Sequence, residues 1–103
     1  MRRIIEYETK EIKTIEEGIK KVEDGKETEE GEKKLMDLLD DYLNFFEFIG
    51  VLRKKNQLSL EEIKTVFEHY IKRISGYNFI VNYINNYGYE NLNALLSELK
   101  LKK

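Results

Sequence analysis

The chain has no cysteine, no proline, and a single histidine. Without cysteine there is no disulfide, no thiolate metal ligand and no thiol nucleophile. That fits a reducing, cytoplasmic interior. Without proline, helix boundaries have to be read from glycine, asparagine and capping residues. Long apolar runs are missing too. The longest is Phe48–Leu52, far short of the roughly 18 residues a membrane span needs. The opening Met1-Arg2-Arg3-Ile4-Ile5-Glu6 turns charged too soon for a signal peptide. An excess of positive charge is also lacking. The net charge is −2, which argues against the electrostatic footprint of a general nucleic-acid binder. There is no glycine-rich phosphate loop, no Ser-His-Asp order and no His-Glu-x-x-His helix. No segment of repeat length recurs.

What is present points to one domain over residues 1–103. The chain is 41% hydrophobic and 12% aromatic, enough to bury a core. Charged residues make up 37%, above the usual roughly 25%, so much of the surface is solvated. Lys, Glu, Ile, Asn and Tyr are abundant, as in proteins of AT-rich genomes, and the Lys/Glu excess is also a hyperthermophile trait.

The sharpest local signal is Leu58-Ser59-Leu60-Glu61-Glu62-Ile63. Ser59 followed three residues later by Glu62 is a capping box, and Leu58 with Ile63 can form the hydrophobic staple. A helix therefore starts near Leu60. It carries the stripe Ile63, Val66, Phe67, Tyr70, Ile71 and Ile74 and ends at Ser75-Gly76, with Gly76 expected at the left-handed position after the cap.

Upstream, Leu35, Leu38, Leu39, Tyr42, Leu43, Phe45, Phe46, Ile49 and Leu52 keep a 3.6-residue period and predict a helix over about 32–55. Its apolar face is wide, which marks it as the central helix. Gly50 inside it is expected to permit close helix packing. Arg53-Lys54-Lys55 complements its C-terminal dipole, and Asn56 can take the left-handed conformation that stops it. This helix and the capped one should form an antiparallel hairpin.

At the N-terminus, Ile5, Ile12, Ile15, Ile19 and Val22 form a narrow seam on a helix over about 3–22, opposite a face rich in Lys and Glu. A strand over Arg3–Tyr7 is the competing reading. Residues 23–31, with Gly25 and Gly31 among glutamates, read as an acidic loop. It is not a calcium loop. Counting from Asp24, the third, fifth and twelfth positions are Lys26, Thr28 and Leu35. Two shorter helices follow, about 78–87 with Phe79, Ile80, Tyr83, Ile84 and Tyr87, stopped by Gly88, and about 91–101 with Leu92, Leu95, Leu96 and Leu99. The fold class is all-α, a bundle of four to five helices.

The string Leu43-Asn44-Phe45-Phe46-Glu47-Phe48-Ile49-Gly50-Val51-Leu52, followed by Leu58 to Glu62 and Phe67-Glu68-His69-Tyr70-Ile71, resembles the helical domain-of-unknown-function family DUF4760 over about residues 43–92. The resemblance implies a helical-hairpin core and no activity. Many members of that family look membrane-tethered.

Chemistry-bearing residues are sparse. His69 lacks the partners a metal or catalytic histidine requires and reads as a rim residue. Asp37, Asp40 and Asp41 share a helix, with Lys33, Lys34 and Asn44 nearby, and read as a solvated face. Asn44 and Glu47 are polar within the most apolar helix. They either satisfy each other and nearby backbone groups or face a partner. No cofactor, metal or small-molecule ligand is implied.

Tyrosines and asparagines concentrate over 77–91, where Tyr77, Asn82, Asn85, Asn86, Tyr87 and Tyr89 are the candidate partner-binding residues. Tyrosine couples large apolar area to a polar tip. The Ile5, Ile12, Ile15, Ile19 and Val22 seam is the candidate for self-association as a homodimer. The expected function is a non-enzymatic protein-interaction module. A sharper form of it is a small mobile-element or viral protein that inhibits a host defence complex. The alternative is a nucleic-acid-binding regulator, although Glu61, Glu62 and Glu68 on the capped helix would repel phosphates.

Overall fold

A computed structural model describes the backbone of residues 2–101 and the side chains of residues 10–101. The described residues form five helices: α1 (Arg2–Glu23), α2 (Glu29–Lys54), α3 (Leu60–Ser75), α4 (Asn78–Asn86) and α5 (Glu90–Glu98). There is no strand among the described residues. The fold is all-α, as the hydrophobic periods predict, and Arg3–Tyr7 is helical.

The chain divides into two compact units, Met1–Tyr42 and Leu43–Lys103, and the division falls inside α2 rather than at a linker. In the first unit Ile12, Ile15, Ile19, Leu35, Leu39 and Tyr42 are buried. α1 and α2 approach closely at Gly18, where an added Cβ would lie 2.8 Å from Leu35 Cδ1. The acidic loop is shorter than the sequence suggests, because α2 begins at Glu29. Thr28 caps it: its Oγ1 accepts from the Gly31 N–H at 3.0 Å. Glu29, Glu30 and Glu32 then occupy the first turn, where negative charge complements the helix dipole.

In the second unit α2 and α3 meet as an antiparallel hairpin. Phe45 and Phe46, about as far before the connecting turn as Phe67 is after it, contact the Phe67 ring edge-on at centroid distances of 5.8 and 6.4 Å. The capping box forms as expected. Ser59 Oγ accepts from the Glu62 N–H at 3.0 Å and Glu62 Oε1 accepts from the Ser59 N–H at 3.1 Å. α4 packs on α3 and on α5. Leu43, Phe46, Ile49, Ile63, Ile71, Ile74, Ile80, Ile84, Leu92, Leu95, Leu96 and Leu99 are buried.

Three helices end in the same way, with a residue in the left-handed conformation and paired backbone bonds closing back on the last turn. After α1 this residue is Gly25, after α2 Asn56 and after α5 Lys100, with φ of 69°, 59° and 60°. In the last case the Leu101 N–H donates to the Leu96 carbonyl at 2.9 Å and the Lys100 N–H to the Ser97 carbonyl at 3.1 Å. This closure ends α5 at Glu98, three residues before the expected Leu101. Gly76 departs from expectation. It is itself the cap of α3, right-handed at φ −75° and ψ −10°, so the turn into α4 needs no left-handed residue there.

Two α2 residues seat the start of α5. The Glu47 carboxylate accepts from the Asn91 N–H at 3.3 Å, the Asn91 Nδ2 at 2.6 Å and the Leu92 N–H at 2.8 Å. One turn on, a Cβ added to Gly50 would lie 2.6 Å from the Asn91 carbonyl oxygen. Glu47 thus supplies from a neighbouring helix the acceptor that α5 lacks at its own cap, Tyr89, which makes no side-chain capping bond. Gly50 permits the backbone approach that brings it there, as its position in the sequence implies. Asn44, by contrast, is exposed.

Candidate partner-binding face

The tyrosine cluster is assembled by helix spacing and one tight turn. Tyr83 and Tyr87 are four residues apart, so their side chains lie over one another on α4 and its cap. Their rings stack at 4.4 Å with an interplanar angle of 29°. Tyr87 stays on the helical path because its N–H donates to the Tyr83 carbonyl at 3.0 Å. Gly88 then turns at φ 81°, a left-handed conformation that glycine adopts without steric cost. The Glu90 N–H donates to the Gly88 carbonyl at 2.9 Å, and Tyr89 sits at φ −80° and ψ 65°, the geometry of an inverse γ-turn. This reversal brings the Tyr89 ring to 6.2 Å from Tyr83.

Burial divides the cluster. Tyr83 and Tyr89 are 8% and 7% exposed, while Tyr87 is 67% exposed. The outer ring therefore rests on a buried ring that rests on another. Asn82, Asn85 and Asn86 lie exposed on α4, and so does Asn78, on the side turned away from the Tyr83–Tyr87 row. Of the sequence candidates, Asn82, Asn85, Asn86 and Tyr87 are exposed, the asparagines on the outer side of α4 and Tyr87 on the Tyr83 side at its end. Tyr77 is half-buried at the start of α4, and Tyr89 is a supporting residue rather than a contact.

The segment is also electrically neutral. No Asp, Glu, Lys or Arg occurs between Arg73 and Glu90, in a chain that is 37% charged overall. Beside the asparagine row a notch of about 60 Å³ is lined by Asn78, Val81, Ile84, Asn85, Leu96 and Leu101. A larger open cleft of about 330 Å³ lies between α2 and α5, next to Gly50 and Asn91. The Arg53–Glu98 ion pair, 3.0 Å long, belongs to its lining.

The other candidates fall elsewhere. Ile12, Ile15 and Ile19 are buried, Val22 is half-buried, and the Ile5 side chain lies outside the described residues. Association through that seam requires these side chains to leave the interior. His69 is exposed, its ring 5.4 Å from Tyr70. Asp37 and Asp41 are exposed, Asp40 is half-buried, and no group of three or more metal-ligating side chains occurs among the described residues. A displaced carboxyl titration belongs to the capping box. The Ser59 backbone N–H and then its hydroxyl hold the Glu62 pKa below its ordinary value. No helix among the described residues is long and apolar enough to cross a membrane.

Compared with protein-family models, curated proteins and solved structures, the chain matches none.

Proposed function

We propose that this protein acts by binding another protein through the uncharged C-terminal end of α4, with Tyr87 as the anchor and the adjacent Asn86 as a polar contact. The observation that carries this reading is the Tyr87 ring, 67% exposed yet stacked on the buried Tyr83 ring. An aromatic ring held in place before binding loses little rotamer freedom on contact and offers apolar area with a hydrogen-bonding tip. Such residues dominate the energy of protein interfaces. Asn86 gives donors and acceptors without a charge to desolvate, which suits an interface centre better than the lysines and glutamates found elsewhere on this surface.

The same stack is chemically able to hold a nucleic-acid base. A phosphate backbone then needs cations alongside, and none occurs between Arg73 and Glu90. Protein is therefore the favoured partner, and inhibition of a partner assembly is one form such binding can take.

The test is affinity capture from the native host with the wild-type chain, a Tyr87→Ala/Asn86→Lys variant and a Lys13→Glu control on the charged face of α1. The reading expects a protein retained by wild type and control and lost with the α4 variant. Equal retention by all three would refute it. Retention of DNA or RNA that weakens steeply with salt would replace it with the nucleic-acid reading.

A further inference from the structure

α4 ends without the cation that the other helices place near their C-termini. Lys20 and Lys21 occupy the last turn of α1, Arg53 and Lys54 that of α2, Lys72 and Arg73 that of α3, and Lys100 follows α5. α4 has no basic residue in its last turn, and the next one along the chain is Lys100. No nearby side chain in the sequence therefore offsets the negative end of its dipole. Its final carbonyls are open as well. Neither the Asn85 nor the Asn86 carbonyl accepts a hydrogen bond among the described residues. Next to them stands the Tyr87 ring. One of its faces lies on Tyr83 at 4.4 Å, and at 67% exposure the other is open. The face of an aromatic ring carries negative potential. Across the turn at Gly88 comes Glu90, an exposed carboxylate with no ion-pair partner among the described residues.

Helix end, ring face and carboxylate all favour positive charge, and this stretch of the chain supplies none. We infer that the protein partner presents an arginine here, its guanidinium lying flat on the open face of Tyr87. This rests on Tyr87 being the anchor for a protein partner, and it names the chemistry of the group that meets it. A guanidinium suits the place better than an ammonium. It is planar, so it stacks on the ring, and it is weakly hydrated, so less is lost when water leaves. Stacking keeps its N–H donors free at the edge, where the Asn85 and Asn86 carbonyls can accept them. Glu90 supplies the counter-charge. Tyr87 then holds a cation on its ring face, which an aliphatic side chain of similar bulk cannot do. The same electrostatics disfavour an acidic partner segment, which would meet the helix end and Glu90 with like charge.

The experiment titrates isotope-labelled protein with a capped Ala-Arg-Ala peptide at low salt, followed by amide NMR. A matching peptide with citrulline, planar but uncharged, is the control. The arginine peptide should shift the amides of residues 85–90, and the citrulline peptide should bind roughly tenfold more weakly. Tyr87→Phe should bind like wild type. Tyr87→Leu keeps the apolar bulk without the ring and should bind roughly two- to fivefold more weakly. Glu90→Gln should weaken binding roughly twofold, an effect that salt removes. Both positions are exposed, so the fold should survive, and unchanged shifts elsewhere confirm it. Equal binding of the two peptides, a Tyr87→Leu variant that matches wild type, or shifts centred on the acidic residues 23–32 would overturn the inference. Capture from the native host judges the anchor separately. A protein retained by wild type and by Tyr87→Leu alike, but lost with Tyr87→Ala/Asn86→Lys, would keep Tyr87 as the anchor and remove the arginine.

Discussion

Replacing Glu47 tests whether one side chain on α2 holds the start of α5. Glu47 receives three hydrogen bonds from Asn91 and Leu92, two of them from backbone N–H groups that the helix cannot satisfy internally. A hydrogen bond to a charged group is worth about 1.5–3 kcal/mol, and losing a helix cap costs about 0.5–2 kcal/mol. These overlap, because the same N–H groups are counted in both. Water also reaches the half-buried site in the variant. Glu47→Ala is therefore expected to destabilise by roughly 2–3 kcal/mol, a large share of the stability of a chain this size. Glu47→Gln keeps one acceptor oxygen but turns an amide toward donors, and should cost roughly half as much. Urea unfolding reads the effect as a lower midpoint at unchanged slope. Asn91→Ala alone should cost less, since both backbone bonds survive, and its effect should shrink in the Glu47→Ala background. A Glu47→Ala midpoint within experimental scatter of wild type would refute the reasoning.

Gly50→Ala and Gly76→Ala should move stability in opposite directions. At Gly50 the helix-propensity gain of about 1 kcal/mol is outweighed by a 2.6 Å contact with the Asn91 carbonyl oxygen, for a net loss of about 1–2 kcal/mol. At Gly76 the nearest atom is an ordinary 3.4 Å away, and alanine should add about 0.4–1 kcal/mol, both read by urea midpoint. Lys100→Gly should raise the melting temperature, because a lysine at φ 60° carries strain of roughly 1 kcal/mol that glycine does not. The Glu62 pKa is lowered in the folded state, so its contribution is complete above its unfolded value, near 4.5, and is lost as pH falls through the lowered folded value. The stability gap between wild type and Glu62→Gln, from urea midpoints, should be widest near neutral pH and close in acid. A gap that widens in acid would contradict it.

Local features were readable in the sequence where both partners lie within one helical turn. Ser59 and Glu62 announce their cap, and Gly25, Asn56 and Gly88 announce chain reversals, because each residue type suits its backbone conformation. Lys100 does not announce one. Closure on Leu96 and Ser97 imposes a left-handed conformation that lysine disfavours. Glu29, Glu30 and Glu32 look like loop residues by polarity, yet acidic side chains belong in a first helical turn. Thr28 immediately before them was the available signal. The role of Glu47 was open because its partners are 44 and 45 residues away. Periodicity identified the wide apolar perimeter of α2 but gave no indication that Phe48 would be left exposed. The partner-binding candidates divided for a similar reason. Tyr87 and Tyr89 are chemically alike, and only the turn at Gly88 puts one outside and the other beneath Tyr83.

The claim that this protein works by contact through α4 is tested most directly by a photo-crosslinking phenylalanine analogue placed at position 87 and, separately, at exposed position 64, expressed in the native host. The account predicts a discrete protein adduct after irradiation at position 87 and none at position 64. An adduct at position 64 with none at 87 would place the working surface elsewhere and contradict it.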